Sequence, residues 1–157
     1  MHLKTYYEKD VLPNRNTPLD GVEYIDRLTG RVVAFDQEGN IALVGTNRHG
    51  FFLLPGGGIE EGESIEEGIL RECKEEIGCD VLIQRYIGEI DDYRPARNRH
   101  VITHCYVVDV VGGKGELQLT ADEIEVGHFV VWKSPGEAMQ ILEQQVELLK
   151  TTDVDFY

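Results

Sequence analysis

LPGGGIEEGESIEEGILRECKEEIGC, Leu54 to Cys79, reads as a glycine loop that runs straight into a helix. Gly56, Gly57 and Gly58 have no side chains, so their backbone can approach a ligand closely or take positive φ. Ser64 followed three residues later by Glu67 is a capping box that opens the helix, and Gly78 is a left-handed stop. Between these ends Ile65, Ile69, Cys73 and Ile77 recur every fourth residue and give one apolar stripe to lay on a core. The opposite side is acidic. Glu72, Glu75 and Glu76 stand at i, i+3 and i+4 and so share one patch of helix surface.

Like charges at that spacing repel by about 0.2–0.5 kcal/mol per pair, and the C-terminal half of a helix disfavours anions further. A solvated acidic face is one reading. The other is a hard divalent cation, because Mg²⁺ prefers carboxylate and carbonyl oxygens and keeps water and substrate phosphates as its remaining ligands.

Gly57, Glu63, Arg71, Glu72, Glu75, Glu76 and Gly78 fall in the pattern Gly-x5-Glu-x7-Arg-Glu-U-x-Glu-Glu-x-Gly-U, where U is apolar. This resembles the signature of the Nudix hydrolases at every fixed position, with Cys73 and Cys79 in the two apolar slots. The resemblance implies an α/β/α sandwich, a mixed sheet between two main helices. It also implies hydrolysis of a nucleoside diphosphate linked to another moiety, with water attacking phosphorus and divalent ions bridging enzyme and pyrophosphate. By the same analogy Glu72, Glu75, Glu76 and the Gly56 carbonyl hold Mg²⁺ or Mn²⁺. Arg71 orients the glutamates, and Gly57, Glu63 and Gly78 shape the motif. Members of the family vary in their general base. Glu72 is the first candidate, and a glutamate from a distant loop is the other, with Glu123 ahead of Glu125.

The remaining chain bounds the function. Its 157 residues, 41% apolar, suit one domain spanning 1–157 with a core from about 30 to 150. Fifteen Lys and Arg against 29 Asp and Glu give a net charge of -14, which repels nucleic acid and anionic membranes. The N-terminus lacks the apolar core of a signal peptide, and no apolar run is long enough to span a bilayer, so a cytoplasmic protein is expected. Three cysteines without a Cys-x-x-Cys pair fit reduced thiols and argue against zinc. The partner is then a small-molecule nucleotide, and dimers are common among similar proteins.

Along the chain we expect a strand near Leu3–Glu8, a loop through Pro13, Asn14, Asn16 and Pro18, and a hairpin of Arg31–Phe35 with Ile41–Thr46. A short strand Phe51–Leu54 leads into the glycine loop, with Phe51 and Phe52 read as core. Strands follow at Val81–Ile90, Val101–Val111, Leu117–Leu119 and Phe129–Trp132, with Val101–Val111 central and buried on both faces. Asp122, Glu123 and Glu125 lie in an acidic loop. Ser134 caps a closing helix to about Lys150 that buries Ala138, Ile141, Leu142, Val146 and Leu149.

Between the strands, Arg94, Arg97, Arg99 and His100 are a dense cationic cluster that either binds phosphates or forms a solvated basic loop. Tyr93 is a candidate for stacking on a base. His49, His104 and His128 read as ordinary polar residues. The resemblance leaves three readings open: a (deoxy)nucleoside triphosphate as substrate, ADP-ribose or a sugar nucleotide as substrate, or a module that binds nucleotide without cutting it.

Overall fold

In the computed structural model, residues 1–11, 20–48 and 50–151 are described, with the side chains of Val11 and of 147–151 excepted. Seven strands form one mixed sheet: β1 (His2–Tyr7), β2 (Ile25–Phe35), β3 (Ile41–Thr46), β4 (Phe52–Leu53), β5 (Asp80–Arg94), β6 (Arg99–Val111) and β7 (His128–Lys133). The path runs β1-β5-β6-β2-β3-β4, and β7 also pairs with β3. Among the described residues four α-helices accompany it, α1 (Glu8–Val11), α2 (Ile65–Ile77), α3 (Ala121–Glu125) and α4 (Pro135–Thr151), with a 3-10 turn at Pro95–Arg97.

Each sheet face carries its own core, as the period-2 alternation of strands requires. On one face Val32, Ala34, Val44, Val108 and Val110 pack against Ile69, Cys73 and Ile77 of α2. On the other, Ile41, Leu43, Val33 and Phe35 pack against Ala138, Ile141 and Leu142 of α4. This is the α/β/α sandwich expected from the element order. Cys73, Cys79 and Cys105 are all free thiols, and burial pushes Cys73 up to about 12.

Several local expectations need correction. The hairpin of β2 and β3 is closed by a single pair, Phe35 with Ile41. Beyond it β3 turns to β7 and β4, while β2 runs parallel to β6 over eleven pairs. β2 begins at Ile25, because the loop and β6 supply backbone partners that an exposed sequence without alternation does not announce. Likewise β5 continues to Arg94 through the charged stretch, flanked by β1 and β6.

β6 is central but alternates, with Val108 and Val110 buried while Asp109 and Val111 are exposed. Leu117 and Leu119 form no strand, and the acidic loop is the short helix α3, capped by Thr120 and Glu123. Val146 is half exposed; the side chain of Leu149, and Pro13, Asn14, Asn16, Pro18 and His49, lie outside the described residues. Phe52 does pack on the α4 core.

Candidate active site

The helix α2 forms as its sequence dictates. Ser64 Oγ accepts from Glu67 N–H while the Glu67 carboxylate accepts from Ser64 N–H, and Gly78 ends it in the left-handed region at φ 67°. That fixes the azimuth of every glutamate on it. The glycine loop is then stitched to β2 by Gly30 N–H to Gly57 O, Val32 N–H to Pro55 O and Ile59 N–H to Leu28 O. Gly30 itself has to be glycine for this docking, since a Cβ there would stand 2.7 Å from Ile69.

Loop and helix meet at the glutamates. Glu72 and Glu76 are buried, so the acidic face is not a solvated one. A Cβ on Gly57 would lie 2.3 Å from Glu72 Oε1, which is why only glycine fits at that point. Gly56 N–H donates to Glu76 Oε2 at 2.7 Å. The Gly56 carbonyl is taken by Arg31 Nη1, which also donates to Leu54 O at 2.9 Å.

Arg71 is the hub of the cluster. Its Nε and Nη2 donate to the two oxygens of Glu63 at 2.9 and 3.1 Å, Nη2 also reaches Gly58 O at 2.9 Å, and Nη1 reaches Glu72 and Glu75 at 3.0 Å each. Five charge-assisted bonds from one planar fork relieve much of the repulsion anticipated on this helix face. Arg71 hydrogen bonds hold Glu63 below the ordinary carboxylate range. Burial raises Glu72, against the pull of Arg71, and burial raises Glu76 to about 7, against Arg31 and the Gly56 amide.

The three motif glutamates therefore divide. Glu72 and Glu75 sit on Arg71, whereas Glu76 turns toward Glu123 and His128, and one ligand atom from each of these three lies within 4.8 Å of the others. Glu123 is thus brought to the site from α3, where it also accepts from Thr120 N–H at 2.6 Å. Glu125 is not; it borders a surface depression with Asn47, Arg48, Val126 and Gly127. A buried carboxylate converging with a half-buried one and an imidazole suits a divalent cation, which would add to the single amide bond that Glu76 receives from Gly56.

On its far side the glycine loop borders a cleft of about 260 Å³. Arg27, Arg31, Arg94, Arg97 and Arg99 line it together with Thr29, Gly57, Gly58 and Thr103. Arg94 is also paired with Asp92 through Nε at 2.7 Å and Nη2 at 2.6 Å. Of the expected cluster Arg94, Arg97 and Arg99 line this cleft together and His100 does not, and β2 adds Arg27 and Arg31. Their alternation along one strand face was the available signal.

His100 and Tyr93 are placed elsewhere. His100 is held between Asp26 at 2.9 Å and Asp91 at 2.6 Å, and these bonds raise its pKa although burial opposes them. The ring of Tyr93 stacks on Tyr7 at 5.5 Å and on His100 at 4.2 Å. Those partners come from β1 and β6 on opposite sides of β5, so both faces of Tyr93 are covered. The side chain of His128 is almost wholly covered, although the residue as a whole is half-buried, and this desolvation lowers its pKa.

The chain resembles known proteins in sequence and in fold. The family model for the NUDIX domain matches residues 27–152. An ADP-ribose pyrophosphatase from Methanocaldococcus jannaschii is 37% identical over 48% of this chain, and the chain spans only 45% of that relative's length. An 8-oxo-dGTP diphosphatase from Proteus vulgaris is 33% identical over 52% of this chain and 69% of its own. A NUDIX hydrolase structure from Nitrosomonas europaea superposes with a TM-score of 0.62 at 21% identity, covering 82% of each chain. No helix among the described residues is long and apolar enough to cross a membrane.

Proposed function

Because the chain belongs to the NUDIX domain family, we propose that it hydrolyses the pyrophosphate linkage of a nucleoside diphosphate-X compound with the help of a divalent cation. One observation carries this reading: Gly57 touches the buried Glu72 carboxylate on one side and lines the five-arginine cleft on the other. Carboxylates for a cation and arginines for phosphate oxygens are thereby separated by a single residue with no side chain.

The residues divide the work accordingly. Glu72, Glu75, Glu76 and Glu123 are the proposed cation ligands, whereas the Gly56 carbonyl, expected among them, is held by Arg31 Nη1. Mg²⁺ suits such a set of oxygen donors, with Mn²⁺ as the alternative. When bound, the cation neutralises phosphate charge and activates water. Arg71 holds Glu72 Oε1, so a single oxygen, Oε2, is left to serve either as cation ligand or as acceptor of the attacking water's proton, and not as both. Arg27, Arg31, Arg94, Arg97 and Arg99 bind and orient the phosphates, and most of the catalytic gain in such a site comes from that positioning and charge neutralisation.

The cleft favours a (deoxy)nucleoside triphosphate over ADP-ribose or a sugar nucleotide. Five arginines line it, and although Arg94 also pairs with Asp92 and Arg31 with the loop carbonyls, this density of cations is what supports the triphosphate reading. The names of the two curated relatives keep both substrate types in view. The test is release of phosphate, pyrophosphate or nucleoside monophosphate from plain and oxidised triphosphates, ADP-ribose, sugar nucleotides and dinucleoside polyphosphates. It is run with Mg²⁺, with Mn²⁺ and with chelator. Metal-dependent turnover led by a triphosphate supports the reading; turnover led by ADP-ribose replaces the substrate. Nucleotide binding without turnover makes the protein a sensor.

A further inference from the structure

His128 Nε2 is a buried polar atom with no hydrogen-bond partner among the described residues. Its side chain is only 6% exposed, and Nε2 lies 3.8 Å from Glu76 Oε1, beyond hydrogen-bond length. Buried polar groups are nearly always satisfied, so a lone nitrogen aimed at two carboxylates asks for a missing partner. Opposite it, Glu76 and Glu123 each present an oxygen, and the three candidate ligand atoms fall within 4.8 Å of one another.

The backbone holds this nitrogen in place. β7 pairs with β3 through Thr46 and His128, and Gly127 precedes it in the left-handed region at φ 69°. Asn47 N–H donates to Gly127 O at 3.0 Å, and a Cβ on Gly127 would stand 2.7 Å from Asn47 Nδ2. The turn that delivers His128 to Glu76 is therefore tightly determined.

We propose that His128 Nε2 is a nitrogen ligand to the divalent cation, alongside Glu76 and Glu123, and that the site consequently prefers a first-row transition ion such as Mn²⁺ over Mg²⁺. The inference rests on the hydrolase reading for the presence of a cation and adds to it the identity of one ligand and of the ion. Mg²⁺ is hard and demands oxygen, whereas imidazole nitrogen suits first-row transition ions. Mn²⁺, the member of that series whose preference for oxygen is nearest to that of Mg²⁺, fits a site with three oxygen or nitrogen donors of which only one is nitrogen. A cage that spends one position on nitrogen gives up Mg²⁺ affinity to gain affinity for Mn²⁺.

The experiment is electron spin echo envelope modulation on the full chain loaded with one equivalent of Mn²⁺, paired with Mn²⁺ and Mg²⁺ titrations of wild type, His128→Gln and His128→Ala. The expected result is ¹⁴N modulation from a coordinated imidazole in wild type. In the variants it disappears, and Mn²⁺ binding weakens by about tenfold or more, at least the loss seen when a group supporting a metal ligand is removed. Mg²⁺ affinity changes by less. Because the wild-type spectrum decides on its own, a variant that fails to fold does not blunt the test. Bound Mn²⁺ without ¹⁴N modulation overturns the His128 ligand while leaving the hydrolase reading intact. Absence of any Mn²⁺ or Mg²⁺ binding overturns both.

Discussion

Arg71 and Glu63, eight residues apart in sequence, face each other through two roughly parallel bonds, Nε to Oε1 at 2.9 Å and Nη2 to Oε2 at 3.1 Å. This bidentate contact ties the loop before α2 to the second turn of the helix. With it fixed, Nη1 can reach Glu72 and Glu75 together.

Arg71→Lys should therefore act on the site more than on the fold. Lysine offers three donors on a flexible stem and cannot reproduce the fork. We expect kcat to fall about 10- to 100-fold, the usual scale for losing a group that orients metal ligands. Circular dichroism should be unchanged, and a steady-state assay on the preferred nucleotide measures the loss.

Gly57→Ala tests the contact between loop and glutamate. The new methyl would overlap Glu72 Oε1 at 2.3 Å, and either the loop or the carboxylate has to move. The expected cost is about 1–3 kcal/mol of stability, typical of overpacking, read by chemical denaturation. Cation affinity measured by titration should fall as well.

The helix was legible because all of its determinants are local: a capping box, an αL glycine, and a four-residue apolar repeat whose Ile69, Cys73 and Ile77 are indeed buried. The motif's spacing was legible for the same reason, since Glu63, Arg71, Glu72 and Glu75 are drawn together within one loop and one helix. Arg27 and Arg31 were missed because β2 is paired on both sides by remote backbone, and its exposed first half shows no hydrophobic alternation. His128 is three-dimensional information: its meaning depends on β7 pairing with β3 and bringing it to Glu76, 52 positions earlier in the chain. The surroundings of Tyr93 were not legible, because nothing local shows that Tyr7 and His100 stack on its ring.

Arg27→Gln removes one cation from the cleft without touching the loop carbonyls that Arg31 holds. Loss of one charge-assisted hydrogen bond, about 1.5–3 kcal/mol, should raise KM for a triphosphate roughly tenfold or more. The effect should shrink as salt rises, because exposed charges are screened. Initial rates at two ionic strengths check both statements.

Asp36 supplies a pH dependence far from the site. Burial alone would raise its pKa, but Lys114 at 2.7 Å, Asn40 and the Glu38 amide together lower it to about 2. A depressed carboxylate contributes stability that is present above its unfolded value of 3.8 and is lost as pH falls through about 2. Asp36→Asn should flatten the loss of stability between those pH values, as followed by thermal melts in acid.

The central claim, that the buried glutamates of α2 are a catalytic cation site, is tested most directly by kcat of Glu76→Gln on the best nucleotide at saturating Mg²⁺ or Mn²⁺. The substitution keeps the shape that Gly56 N–H and the surrounding core require and removes only the charge. We predict a loss of about 100-fold or more, the scale expected when several kcal/mol of metal-borne charge stabilisation disappear, with the melting temperature retained. Unchanged turnover in a folded Glu76→Gln protein would contradict the assignment.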